Sequence, residues 1–415
     1  MRLFFAIAMA AIAAMMGGCG GGGSSSPAPT GFKVVAGDTS ATVSWDTEPG
    51  VEYWVWVIPG SSIDTQNCSA SCRIFVNVPS PFIVTGLTNG ITYSITVNGR
   101  TNGGRGGPAS AAITAVPRLA GAAWNVDPPL GLNNLRGTGF ASATTAGTSE
   151  LVDVGGNGAI FWTIDGSTWT AATPGVTTNL DAVQYRNGLF VAIGDMGTIV
   201  TSPDAVTWTA RASPTTNALT ALEGNGSGQV IAVGANGTIL VSSDSMSWAA
   251  ANSGTTSNLY GIGFGNGRYV AVGAHGTMLT STDGTTWTAI APATASDLRG
   301  VIYGSTAATS TTSAVATFVA VGIAGTLVTS PDGVAWTEQP PIATNDLAAV
   351  TYGTQFVAVG NGGGIFTSFD GLVWQPAGSG TTADLNGVTF TILAARSIGV
   401  GYEAVGNAGV NLTAF

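Results

Sequence analysis

The residues of this chain best placed to meet a ligand recur around one leucine. Asn134, Asn179, Asn258, Asp297, Asp346 and Asp384 each stand directly before such a leucine, and Ala218 is the exception among seven equivalent positions. Directly after the leucine the residue changes from copy to copy: Arg136, Asp181, Thr220, Tyr260, Arg299, Ala348 and Asn386. Carboxylate, amide, guanidinium and phenol groups in that pattern suit recognition by hydrogen bonds and charge, with a constant series framing a variable one. Asp195, Asn236, His275 and Asn361 fall in glycine-rich connections further along the same copies. The simpler reading of the Asn/Asp series is turn preference, since these side chains bond backbone where a chain enters a strand. Sequence alone leaves both readings open.

Residues for catalysis are sparse. His275 is the only histidine, so a Ser-His-Asp triad would have to use it. There is no G-x-S-x-G elbow and no multi-histidine metal pattern. Gly362, Gly363 and Gly364 read as a strand connector with no helix behind them to hold a phosphate. Asp165, Asp204, Asp244, Asp283, Asp332 and Asp370 recur once per copy in a turn, which argues for backbone bonding inside that turn. The expectation is a protein without cofactor or metal, and without a catalytic set.

The elements that must position these residues repeat. Successive leucines, from Leu135 to Leu385, are 45, 39, 40, 39, 49 and 38 residues apart. In Tyr269-Val270-Ala271-Val272-Gly273 both faces are apolar or small, so the strand must be covered on two sides. Asp283-Gly284 then supplies a turn and Trp287 a large apolar surface. A period near 40 residues with four strand-sized segments predicts a propeller, here of seven blades. The seventh copy stops at Phe415 without its Asp turn and tryptophan, and an unpaired segment, Ala122-Ala123-Trp124-Asn125-Val126, precedes the first. Pairing that segment with the C-terminal blade closes the ring and removes exposed edges. The fold class is all-β.

The turns SPDAVTW, STDGTTW, SPDGVAW and SFDGLVW resemble the Asp-box, or BNR, repeats of sialidase-like and photosystem II assembly-factor-type propellers. Asp283 lies four positions before Trp287, one fewer than in the usual Asp-box, and Asp204 and Asp244 are not followed by glycine. The resemblance implies the fold. It also implies, as alternatives, an extracellular carbohydrate-active enzyme using Arg136, Arg299, Tyr260 and a rim carboxylate, or an assembly or stability factor for an envelope complex.

Residues 1–18 combine one basic residue, an apolar run and Gly17-Gly18 before Cys19, the pattern of a secretory signal. Met16-Gly17-Gly18-Cys19 resembles a bacterial lipobox, which implies lipid on Cys19 and, with Gly20 following, retention at the outer membrane. Residues 19–30 are a Gly/Ser/Pro tether. Residues 31–117 read as a separate all-β unit, and Tyr93, placed between a turn and an alternating strand, looks like the tyrosine corner of a fibronectin type III domain. Residues 118–415 hold the propeller. Cys68 and Cys72, in CSASC, are expected to pair as a disulfide in an oxidising envelope.

With 12 Lys and Arg against 22 Asp and Glu, the net charge of −10 disfavours nucleic acid. The expected partners are the membrane, through the lipid anchor, and a protein or glycan ligand on one propeller face. The predicted role is non-catalytic binding by a lipid-anchored envelope protein, with the channel-mouth residues as its site.

Overall fold

The computed structural model describes residues 25–65, 71–142, 149–306, 315–393 and 400–414. The chain divides after Arg118 into two compact units. Cys19 and Cys68 lie outside the described residues, while Cys72 is disulfide-bonded. No helix among the described residues is long and apolar enough to cross a membrane.

The first unit is a sandwich. One sheet holds Lys33–Gly37, Ser40–Ser44 and Phe82–Thr85; the other holds Arg73–Val76, Val51–Pro59, Tyr93–Thr101 and Ile113–Ala115. Alternation along each strand buries Ala41, Val43, Tyr53, Val55, Val57, Ile95 and Val97 between them, with Trp45 tilted against Tyr53 at 5.4 Å. The Tyr93 hydroxyl accepts the backbone N–H of Thr88 at 3.1 Å. That bond ties the turn to the strand that follows it, as a tyrosine corner does.

The second unit is a propeller of seven four-stranded antiparallel sheets. They open with Leu135–Ala141, Leu180–Arg186, Leu219–Gly224, Leu259–Gly265, Leu298–Thr306, Leu347–Tyr352 and Leu385–Ile392, and we number them 1 to 7 in that order. Sheets 1 to 6 are each continuous in sequence. Sheet 7 takes three strands from the C-terminal segment and its fourth, Asn125–Val126, from before sheet 1, with Val126 opposite Leu412 and Asn125 opposite Thr413. Trp124 is buried there against Tyr402 and Leu412. It takes the packing role that Trp208 and Trp287 fill in their own sheets.

The second strand of each sheet is covered on both faces by neighbouring sheets, which is why it carries no solvent-facing alternation. It ends on a glycine for a steric reason. A Cβ on Gly273 would overlap the carbonyl oxygen of Asn258, and the same holds for Gly194 with Asn179 and Gly322 with Asp297. The backbone is extended at these glycines, so close approach rather than dihedral freedom demands them.

Candidate functional site

The opening strands of all seven sheets converge on a central cavity of about 420 Å³. Each opening leucine is buried, which sets its two neighbours on either side of a fixed point. The residue after the leucine reaches the cavity in every copy: Arg136, Asp181, Thr220, Tyr260, Arg299, Ala348 and Asn386 all line it. The variable series of the repeat is therefore gathered in one place.

These side chains divide into bonded and available groups. Arg136 Nη1 meets Asp181 Oδ1 at 2.6 Å. Burial raises the pKa of the Asp181 carboxyl, Arg136 opposes that shift, and the charge of Asp195 adds to it. Asn386 Nδ2 donates to the carbonyl of Leu135 at 2.7 Å and to Asn407 Oδ1 at 3.0 Å, while Thr220 Oγ1 donates to the carbonyl of Leu259 at 2.7 Å. Arg299 is exposed; its guanidinium lies 5.1 Å from the centre of the Tyr260 ring. A cation held over an aromatic face keeps its N–H donors free for a ligand.

The residues before the leucines do something different. Asn134, Asn179, Asn258, Asp297, Asp346 and Asp384 each accept, through Oδ1, one backbone N–H of the preceding sheet, from Ala408, Asn157, Asn236, His275, Ala324 and Gly362 respectively, at 2.8–3.0 Å. Each donor is the middle residue of a three-residue turn after the second strand, held at φ between 52° and 67°. The left-handed residue turns its N–H outward, and the next sheet supplies the acceptor. The equivalent donor in sheet 2 is Met196, and opposite it stands Ala218, which has no side-chain acceptor. His275 thus enters this set through its backbone, with an exposed imidazole beside it. Asp195 accepts from Asn179 Nδ2 at 2.8 Å.

The Asp turns are self-contained. Asp165, Asp204, Asp244, Asp283, Asp332 and Asp370 each accept two backbone N–H groups two and three residues ahead, as Asp244 Oδ1 does from Met246 at 2.8 Å and Ser247 at 2.7 Å. The Ser247 amide first, then that of Met246, holds the Asp244 carboxyl down at about 2.

Further into the cavity are groups that sequence reasoning did not single out. Arg186 Nη2 meets Glu223 Oε1 at 2.6 Å, and Gln184 Nε2 lies 3.4 Å from Glu223 Oε2. Gln184 and Glu223 share one position of the opening strand, where the other copies carry Gly139, Gly263, Ile302, Thr351 and Thr389. Among the described residues no group of three or more His, Cys, Asp or Glu side chains is placed to hold a metal ion.

Comparison with known proteins agrees with this architecture. Residues 27–116 match the family model of the fibronectin type III domain, and residues 148–260 match that of the DUF6242 beta propeller domain. The chain is similar to the structure of YCF48 bound to D1 peptide, with 16% identity over 71% of this chain and 97% of that one and a TM-score of 0.54. It is also similar to YCF48 from Cyanidioschyzon merolae, with 19% identity over 71% and 98% of the two chains and a TM-score of 0.53. The WD40 beta propeller domain of Doa1 matches at 10% identity over 71% and 97%, with a TM-score of 0.52. At these identities the likeness is one of fold. No curated protein sequence matches the chain.

Proposed function

We propose that this is a lipid-anchored envelope protein whose propeller binds a protein partner at the mouth of its central cavity, in an assembly or stability role rather than a catalytic one. The observation that carries this reading is the convergence of the seven variable residues on one cavity, with Arg299 and Tyr260 stacked and free to donate. A constant frame that presents changing side chains is how a binding surface is built on a rigid ring. The structurally similar YCF48 has been solved with a D1 peptide, which supports a peptide segment as the class of ligand here. The Met16–Cys19 motif and the tether after it support attachment to the membrane, and the free Arg299 guanidinium favours a partner segment that offers carbonyl or carboxylate acceptors.

The test is photo-crosslinking in the native envelope from a reactive residue at Ala348, on the cavity wall. Capture of a discrete protein that disappears in Tyr260→Ala/Arg299→Ala, with unchanged melting temperature, is the expected result. Equal capture by the double variant, or crosslinks to glycan alone, would overturn the reading.

A further inference from the structure

The seven sheet-to-sheet interfaces are built from the same positions, so each serves as a control for the others. Six are apolar at the centre, and the one between sheets 1 and 7 is not. In the second strand, Asp153 stands where the other six sheets have alanine, and Glu403 stands where they have valine or isoleucine. Thr138 replaces the valine, leucine or isoleucine found opposite that alanine elsewhere. Asn411 replaces Ile160, Ile199, Ile239, Met278, Leu327 and Ile365.

Two polar pairs, Thr138 with Asp153 from sheet 1 and Glu403 with Asn411 from sheet 7, thus meet at one seam. Asp153, Glu403 and Asn411 are fully buried. Thr138 Oγ1 donates to Glu403 Oε2 at 2.7 Å, and Asp153 lies against both. Asn411 lies against Glu403, yet neither its Oδ1 nor its Nδ2 has a hydrogen-bond partner; the same is true of both Asp153 oxygens and of Glu403 Oε1. Orphaned buried polar atoms are costly, and here they are mostly acceptors facing one another.

We propose that Asp153, Glu403, Asn411 and Thr138 form a buried site for a calcium-type cation that locks sheet 1 to sheet 7. The donors are oxygen only, which selects a hard cation over zinc or copper. Two carboxylates balance a divalent charge. Together with the Asn411 amide oxygen and the Thr138 hydroxyl they offer about six oxygens, the lower end of the calcium range. Magnesium keeps several of its waters, and a fully buried interface suits it poorly. Thr138 also lines the central cavity, whereas Asp153, Glu403 and Asn411 do not.

The test uses the full chain and calcium itself. Metal content is measured after exhaustive dialysis, and melting temperature is compared in calcium and in EGTA. The expected result is about one calcium per chain and a melting temperature several degrees higher in calcium. Asp153→Ala/Glu403→Val/Asn411→Ile restores the residues used at the other interfaces, so it should fold cooperatively while retaining no metal and losing the calcium response. Asp153→Ala alone is the second variant if the triple one misfolds. Wild-type protein with no retained metal and equal melting in calcium and EGTA would overturn the site in favour of a shared proton. A calcium response that survives in the variants would overturn it in favour of binding elsewhere.

Discussion

Asp297 Oδ1 accepts the backbone N–H of His275 at 2.8 Å, across the boundary between sheets 5 and 4. Five other sheets make the same bond in the same sense. A side chain that could have been reserved for a ligand spends one oxygen holding the neighbouring turn in its left-handed conformation. Asp297→Ala is expected to cost about 1 kcal/mol, the usual net value of such a bond, read by urea denaturation.

The gap in this series makes the reverse experiment available. Ala218 stands opposite Met196, whose turn has the same geometry as the others. Ala218→Asn supplies the missing acceptor and is expected to raise stability by about 0.5–1.5 kcal/mol. No change in the urea midpoint would show that the bond merely replaces one to water.

Gly273→Ala tests the close approach behind each turn. The new Cβ would overlap the carbonyl of Asn258, and neither strand can shift without disturbing its neighbours. A loss of about 3 kcal/mol or more is expected, whereas Gly→Ala at a position where alanine fits without strain stabilises by about 0.4–1 kcal/mol.

The Asp turns predict an acid limb of stability. The folded Asp244 carboxyl titrates near 2, below the ordinary carboxylate value of 3.8. A depressed carboxylate contributes stability above its unfolded pKa and loses it as pH falls through its folded pKa. Asp244→Asn should therefore flatten the melting curve between about pH 4 and pH 2. At neutral pH it should cost less than about 1 kcal/mol, because solvent screens an exposed charge.

Trp124→Ala tests the strand that completes sheet 7. Its indole is buried against Tyr402 and donates to the carbonyl of Gly121 at 2.9 Å. Truncation is expected to cost about 3–5 kcal/mol, seen as a lower urea midpoint for the propeller transition.

Much of the fold was legible because it is local and repeated. The spacing of Leu135 to Leu385 and the glycine ending each second strand announce four-stranded units, and Trp124 stands out as a tryptophan without a sheet. The Asn/Asp series was legible as a pattern but not as a bond. Its partner N–H lies 22 residues away within the continuous repeats, and its direction depends on a left-handed residue that can be Asn, His, Ala or Gly. The seam was harder to read. Asp153, which shares its strand with Glu150, and Glu403 are 250 residues apart, so only the closed ring brings them into one place.

The one-directional bonding between sheets bears on how such a chain could have grown. Every repeat but the third, which has Ala218, carries both an acceptor for the sheet before it and a donor turn for the sheet after it. Copies that carry both groups could be added or lost by tandem duplication with each new junction satisfied, so those junctions cannot count. Thr138, Asp153, Glu403 and Asn411 break that interchangeability at a single place. They mark the first and last copies as mates, and so give a chain of near-equivalent modules a defined beginning and end.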